Sequence, residues 1–235
     1  MATNARIAGR ALLEGHYLFG QLTAEELDAL LAHARVERYR TGQTIFLKGS
    51  AGTGMMAVLG GRVRISTPSP DGRELVLNTI HEGEIFGELA LLDGKERTAD
   101  ASAARDCELL VLERRDLLPF LEKHPKVALR LLAVVTGRLR QTTEQVEDVA
   151  FLGLESRLAK QLLKLAARHG KETADGEITI DAKLSQRELG QMIGLSRESI
   201  NKQLGTWQRE GLVRVEEGTI TLRDPDELQR IVDSD

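Results

Sequence analysis

Two side chains of opposite charge, Glu88 and Arg97, lie in one short segment, FGELALLDGKERTA (Phe86–Ala99). Apolar and small residues surround both, although Glu and Arg are seldom buried without a partner. A planar guanidinium can donate two hydrogen bonds to a phosphate, and a carboxylate can accept one from a hydroxyl group. The segment therefore predicts a binding site for a small molecule with an anionic group. The alternative is an internal Glu88–Arg97 ion pair without a ligand.

A second candidate site lies in the segment LSQRELGQMIGLSRESINKQLGTWQREGLVRVEEGTITLRD. Ser185, with Glu188 three residues later, forms the capping-box pattern of a helix start. Gly194 would end that helix, and Ser196 would cap a second one running to about Glu210. Two short helices joined by a glycine-containing turn predict a helix-turn-helix, and LVRVEEGTITL predicts a following hairpin, or wing.

The first residues of the second helix in a helix-turn-helix contact the edges of DNA bases. Arg can pair with guanine through two hydrogen bonds, and Glu can accept one from the amino group of cytosine. The alternative for such residues is an ordinary solvated helix start. We predict that DNA is bound by these side chains and by the start of the preceding helix: Ser185, Gln186, Arg197, Glu198, Ser199 and Lys202.

The elements that must position the first site are short strands. LTAEELDALLAHA predicts a helix from about Leu22 to Leu31 with Thr23 as its N-cap. After it, brief apolar runs alternate with clusters of Gly, Pro, Asp and Ser, a pattern typical of an antiparallel barrel or roll. DGRE, between two of these runs, is the clearest hairpin signal.

A long helix is predicted from Pro125 to Gly153. Its apolar or small residues recur at alternating intervals of four and three, which is the heptad spacing of a coiled-coil seam. The helix is therefore expected to pair with its copy in a second chain. The seam residues are Ala128, Leu132, Val135, Leu139, Thr142, Val146 and Val149.

The composition excludes several classes of protein. The 235 residues are 41% hydrophobic and 29% charged, as in an ordinary globular protein, and a formal net charge of −4 argues against a nonspecific nucleic-acid coat. One cysteine, Cys107, excludes an intrachain disulfide, and the five histidines show no paired metal spacing, so we expect no metal. No apolar run is long enough for a membrane span, which predicts a cytoplasmic protein without membrane partners.

Taken in order, the whole chain resembles the cyclic-AMP receptor protein branch of the CRP/FNR transcription regulators. GELALLDGKERTA resembles the phosphate-binding cassette of that family, and GLSRESINKQL resembles its recognition helix. The resemblance implies an α+β protein: an N-terminal cyclic-nucleotide-binding β-roll (1–124), a dimerisation helix and hinge (125–153), and a C-terminal winged helix-turn-helix (154–235). It also implies a cytoplasmic homodimer that is allosteric and is not an enzyme.

The resemblance implies cyclic AMP as the effector. Glu88 would accept a hydrogen bond from the ribose 2′-hydroxyl, Arg97 would bind the cyclic phosphate, and Thr98 would add a hydroxyl. Backbone amides from Gly87 to Leu89 would complete the anion site.

Two adjacent threonines in VTGRLRQTTEQVEDVAFLGL, Thr142 and Thr143, match the positions that contact the purine in this branch, one from each subunit. Thr98 leaves cyclic GMP open as the effector, because a threonine directly after the cassette arginine accompanies cyclic GMP preference in the kinase versions of this domain. A regulator that acts without any nucleotide is a further alternative.

The resemblance also implies a palindromic TGTGA-like DNA operator and RNA polymerase as partners. Lys202 stands where the family's recognition helix more often has a third arginine, which predicts relaxed reading at that contact. The surface that touches polymerase in the best-known member is basic, whereas here Arg35 lies with Glu37 and Asp116.

Overall fold

The structure is a computed structural model that describes residue 10 and residues 13–69, 74–173, 176–180, 185–216 and 218–234. Contacts between Cα atoms divide the chain into two compact units. The first contains Met1–Thr67 and Leu77–Arg140, and the second contains Pro68–Val76 and Gln141–Asp235. Our predicted domain bounds, 1–124, 125–153 and 154–235, stay predictions.

The first unit is built on one six-stranded sheet. Its main path runs β1–β6–β3–β4, β2 pairs with β6, and β5 pairs with β3. The pairs of β6 with β1, β2 and β3 are antiparallel. The strands are β1 (Arg35–Tyr39), β2 (Thr44–Phe46), β3 (Gly54–Pro68), β4 (Glu74–His81), β5 (Ile85–Phe86) and β6 (Asp100–Glu113).

Both faces of β3 are buried, because side chains alternate across a strand and each set meets a different core. Met55 and Ala57 pack into a cluster that includes the helices of this unit. Met56 and Val58 pack into a second cluster, together with residues of β4, β5 and β6. The predicted antiparallel roll is confirmed, and β2, β3 and β4 follow predicted apolar runs of the sequence.

Several helices of the described residues begin within or beside this unit. Thr23 caps the first through a complete capping box with Glu26, as predicted. The last is the predicted long helix, which begins at Pro125 and ends at Phe151 instead of Gly153. The helices are α1 (Ala24–Ala32), α2 (Glu88–Asp93), α3 (Arg114–Lys123) and α4 (Pro125–Phe151).

The second unit packs helices against a small antiparallel sheet of order β7–β8–β10–β9. Its core is formed by apolar residues of every helix and of three strands, with Trp207 at 1% exposure among them. The elements are α5 (Leu154–His169), β7 (Gly170–Glu172), β8 (Ile178–Ile180), α6 (Gln186–Ile193), α7 (Arg197–Arg209), β9 (Val213–Glu216), β10 (Thr219–Leu222) and α8 (Pro225–Asp233).

The predicted α+β fold, with its helix-turn-helix and wing hairpin, is confirmed. The strands β1, β5 and β7 and the helices α2, α3 and α8 were not predicted from the sequence. Most of the predicted DGRE hairpin lies outside the described residues.

Among the described helices, none is long and apolar enough to cross a membrane. In the same part of the chain, no group of three or more His, Cys, Asp or Glu side chains could hold a metal ion.

Candidate functional site

The cassette segment turns sharply between β5 and α2. Gly87 has φ 79° and ψ 10°, the left-handed conformation that glycine adopts without strain, and Gly94 ends α2 in the same conformation. A Cβ atom on Gly87 would lie 2.6 Å from Nη1 of Arg97. Position 87 therefore requires glycine both for its backbone conformation and for the close approach of Arg97.

Arg97 is held from two sides by backbone carbonyl groups. Its Nη1 donates to the oxygen of Gly87 and its Nη2 to the oxygen of Gly54, each at 2.8 Å. The residue is only 6% exposed, and burial lowers the pKa of its guanidinium, a shift that the nearby Glu88 carboxylate opposes. Within the described chain, Nε of Arg97 is buried and has no hydrogen-bond partner. Of the three guanidinium nitrogens, only Nε therefore makes no hydrogen bond among the described residues.

The segment before β3 fixes the backbone of Arg97. The amide of Arg97 donates to Ser50 at 2.9 Å, and the amide of Gly49 donates to Arg97 at 2.8 Å. The segment passes so close to α2 that a Cβ on Gly52 would lie 2.1 Å from Cβ of Ala90. The segment GSAGTG (49–54) thus lies beside Arg97 and α2.

Glu88 is 2% exposed and forms an ion pair with Arg138 of α4. Arg138 also donates to the carbonyl oxygen of Ile85. Among the described residues, Glu88 and Arg97 form no direct ion pair, so the alternative of a closed Glu88–Arg97 pair is not what the structure adopts. Glu88 is paired with Arg138, and Arg97 is hydrogen-bonded to two backbone carbonyl groups.

Arg138 is the functional residue that sequence reasoning missed. A signal was available: if Arg97 is to serve an external anion, the buried carboxylate of Glu88 needs a different cation. The long helix contributes that cation from a half-buried position beside the predicted seam.

The remaining predicted ligand residues are exposed to solvent, unlike Glu88 and Arg97. Leu89 and Thr98 are exposed neighbours of Glu88 and Arg97. Thr142 and Thr143 are exposed on α4 and belong to the second unit, so their assignment to the ligand stays a prediction. The structure brings together Gly87, Glu88 and Arg97 of the predicted set.

The helix-turn-helix is formed as predicted. Ser185 and Glu188 complete a capping box at the start of α6, and Gly194 ends that helix with φ 69°. The side chain of Ser196 accepts from the amide of Ser199 at 3.1 Å at the start of α7. A Cβ on Gly190 would lie 2.4 Å from the carbonyl oxygen of Leu195, so the tight turn also depends on glycine at 190.

The start of α7 presents its predicted contacts to solvent. Arg197, Glu198 and Lys202 are exposed, whereas Ile200 and Leu204 are buried against the core. Hydrogen bonds from its own backbone amide and from the Ser196 hydroxyl lower the pKa of the Glu198 carboxyl. The acidic side chain is thus favoured in its ionised, hydrogen-bond-accepting form.

Two predicted DNA contacts have local roles as well. Ser199 is half-buried, and its hydroxyl lies 3.0 Å from that of Ser196. Ser185 donates its hydroxyl to Glu188 at 2.8 Å, and Gln186 beside it is half-buried. The DNA-contact role of all six predicted residues stays a prediction.

The predicted seam lies along a largely exposed face of α4. The apolar side chains on this face are far more exposed than those of the core. An apolar helix face that stays exposed to water is unfavourable, so such a face is typical of an interface. Val135 is half-buried and Thr142 is exposed. The exposed apolar members are Leu132 (52%), Leu139 (66%), Val146 (62%) and Val149 (59%).

Models of two protein families match the chain. Residues 36–124 match the cyclic nucleotide-binding domain, and residues 156–231 match the Crp-like helix-turn-helix domain. A CRP-like cAMP-activated global transcriptional regulator of Mycobacterium tuberculosis is 30% identical over 213 residues, 91% of this chain and 95% of the relative. The cyclic AMP receptor protein of Thermus thermophilus is 35% identical over 219 residues, 93% of this chain and 98% of the relative.

The chain belongs to the CRP/FNR family of transcription regulators.

This CRP/FNR regulator also resembles solved structures. The c-di-GMP responsive global regulator CLP of Xanthomonas campestris superposes with a TM-score of 0.75 at 25% identity, covering 85% of this chain and 99% of that one. The catabolite activator protein of Thermus thermophilus has a TM-score of 0.52 at 33% identity, covering 92% and 98%. The homologues are transcription regulators, so the chain is a DNA-binding, cyclic nucleotide-binding regulator and not an enzyme.

Proposed function

We propose that this CRP/FNR regulator is a homodimer that binds a palindromic, TGTGA-like operator when cyclic AMP occupies the pocket around Arg97. The buried, incompletely satisfied guanidinium of Arg97 carries the proposal. A buried donor without a partner costs free energy, and a phosphate oxygen would satisfy it with a charge-assisted hydrogen bond.

Cyclic AMP fits the charges of this pocket. Its cyclic phosphate carries one negative charge, which Arg97 alone can offset, since Arg138 already neutralises Glu88. Glu88 retains acceptor capacity for the ribose 2′-hydroxyl, because a carboxylate has about four lone-pair positions. Backbone amides from Gly87 to Leu89 and the hydroxyl of Thr98 complete the proposed site.

The names of the relatives support cyclic AMP as the effector. Relatives from M. tuberculosis and T. thermophilus are named as cAMP-activated or cyclic AMP receptor proteins, at 30% and 35% identity. CLP, named as c-di-GMP responsive, indicates that the same fold can serve another cyclic nucleotide. The assignment of Thr142 and Thr143 to the purine rests on the sequence resemblance alone.

The exposed start of α7 supports base reading by Arg197, Glu198 and Lys202, with Ser199 beside them and Ser185 and Gln186 on the neighbouring helix. A palindromic operator requires two copies of α7, and the exposed apolar face of α4 supports the homodimer that provides them. RNA polymerase is proposed as a further partner on the resemblance alone.

Regulation then follows from differential binding. Cyclic AMP must bind more tightly to the DNA-competent arrangement of the dimer than to the other arrangement. The pairing of Glu88 with Arg138 gives the pocket a direct connection to α4, the proposed dimer helix.

The test is calorimetric titration of the purified protein with cyclic AMP, cyclic GMP and cyclic di-GMP, followed by operator binding with and without each ligand. We expect preferential binding of cyclic AMP and operator binding that depends on it. Arg97→Gln should abolish ligand binding, whereas Arg115→Gln, at an exposed arginine of α3, should leave it intact.

Other results would overturn the proposal. Preference for cyclic GMP would make Thr98 and the threonine pair the specificity determinants. Equal operator affinity with and without all three ligands would instead establish a regulator that acts without a nucleotide.

A further inference from the structure

The guanidinium of Arg97 lies over the ring of Phe46, the last residue of β2. The Cζ atom of Arg97 is 4.2 Å from the centroid of the Phe46 ring. Cation–π contacts are favourable within about 6 Å, and they are stronger where the cation is desolvated. Arg97 is buried, so this contact is of the stronger kind.

The strand pairing is irregular between Thr44 and Phe46. Thr44 pairs with Ser102 and Phe46 pairs with Ala101, so two steps along β2 correspond to one step along β6. Such a bulge redirects a side chain relative to a regular strand. Phe86 packs at a centroid distance of 5.9 Å from Phe46 and supports the ring within the core.

Three contacts together hold the guanidinium of Arg97: two hydrogen bonds to carbonyl groups and the contact with the Phe46 ring. The carbonyl groups of Gly87 and Gly54 fix the two terminal nitrogens, but two such bonds leave the guanidinium plane able to tilt about the line that joins them. The contact of the guanidinium with the Phe46 ring opposes that tilt. Of the three guanidinium nitrogens, only Nε makes no hydrogen bond among the described residues, and the direction of its N–H is fixed by this plane.

We propose that Phe46 is a positioning residue that orients the Nε–H of Arg97 toward the anionic group of the ligand. This inference rests on the proposed function and adds to it a residue outside the cassette. An aliphatic side chain of similar size could fill the space, but it lacks the negative ring face that attracts the guanidinium.

The experiment compares Phe46→Leu and Phe46→Tyr with the unchanged protein. We expect Phe46→Leu to weaken cyclic AMP binding about tenfold, which corresponds to the loss of one desolvated cation–π contact. Adenosine, which has no phosphate, should bind each protein with the same affinity within about twofold. Phe46→Tyr keeps the aromatic face and should restore most of the cyclic AMP affinity.

Phe19→Leu is the matched control, because Phe19 is a buried phenylalanine of the same unit that packs in the other core cluster. Phe19→Leu should change neither the cyclic AMP affinity nor the adenosine affinity. Equal weakening of cyclic AMP and adenosine by Phe46→Leu would overturn the proposal, since the ring would then act on the nucleoside or on the fold. Unchanged cyclic AMP affinity would overturn it as well.

A readout without ligand separates this inference from the proposed function. The Nε–H of Arg97 should give a sharp, slowly exchanging NMR signal in the unchanged protein and a broadened one in Phe46→Leu. If the unchanged protein bound no cyclic nucleotide, the proposed function would fail. An identical Nε–H signal in both proteins would defeat the positioning role independently of that result.

Discussion

The carboxylate of Glu88 pairs with the guanidinium of Arg138, and Arg97, the other arginine of the pocket, makes its hydrogen bonds to backbone carbonyl groups. The two arginines therefore have different tasks. Arg138 neutralises a buried carboxylate, whereas Nε of Arg97 has no partner among the described residues, as the proposed anion site requires.

Arg138→Gln should destabilise the first unit by about 1–3 kcal/mol, because it leaves a buried carboxylate without its cation. Cyclic AMP affinity should fall as well, since Glu88 would then be free to attract Arg97. Adding Glu88→Gln should recover part of the lost stability, because the two residues are in contact and their effects are not additive. Urea unfolding of the single and double variants measures this coupling, and strictly additive losses would contradict it.

Gly87→Ala should abolish anion binding and destabilise the protein by about 1–2 kcal/mol from backbone strain alone. The added Cβ atom would also lie 2.6 Å from Nη1 of Arg97 and would displace that nitrogen. Gly83→Ala is the control: Gly83 has φ 81°, but nothing lies within 4 Å of its Cβ. Both variants should show similar strain in thermal unfolding, and only Gly87→Ala should lose ligand affinity. Equal ligand affinity in the two variants would argue against the close approach of Arg97.

Gly190→Ala should weaken operator binding and lower the melting temperature of the second unit. Its Cβ would lie 2.4 Å from the oxygen of Leu195, so the turn between α6 and α7 must open. Gly205→Ala, on α7 itself, has open space and should stabilise the helix by up to about 1 kcal/mol with operator affinity unchanged. Fluorescence anisotropy with a labelled operator and calorimetric melting distinguish the two variants.

Leu139→Lys should convert the dimer to monomers at micromolar concentration, because it places a charge in the centre of the proposed seam. Ala133→Lys adds the same charge to an exposed position of α4 outside the seam and should leave the dimer intact. Sedimentation equilibrium gives the mass of each. A dimeric Leu139→Lys protein would show that another surface joins the subunits.

Acidification should destabilise the protein through His16. This side chain is 8% exposed, and burial lowers its pKa below the ordinary value of 6.5, while its Nδ1 accepts from the amide of Leu18 at 3.0 Å. The unfolded chain therefore binds a proton more readily than the folded one, and stability falls as the pH drops through 6.5 toward the lower folded pKa. In His16→Gln the free energy of unfolding should change less between pH 7.5 and 5.5, as measured by urea denaturation.

The sequence was sufficient for features that depend on local patterns. The N-cap at Thr23, the capping box at Ser185 and the glycine break at Gly194 all rest on residues close together in the chain. Each is present in the structure at the predicted place. Glu88 and Arg97 are both buried, and their membership of one ligand site stays a prediction.

Contacts between residues far apart in the sequence could not be predicted from local patterns. Arg138 contacts Glu88 from a distant helix, and Phe46 contacts Arg97 across an irregular strand pair, so no local spacing indicates either partner. The bulge between Thr44 and Phe46 decides which residue faces the pocket, and register of this kind depends on the whole sheet.

The ion pair between Glu88 and Arg138 also limits how the pocket can be transplanted. The match to the cyclic nucleotide-binding domain ends at residue 124, and Arg138 lies beyond that limit. A biosensor made by grafting only the matched segment into a fluorescent reporter would carry the carboxylate without its counterion. A grafted segment that keeps this ion pair has to include the long helix at least as far as Arg138.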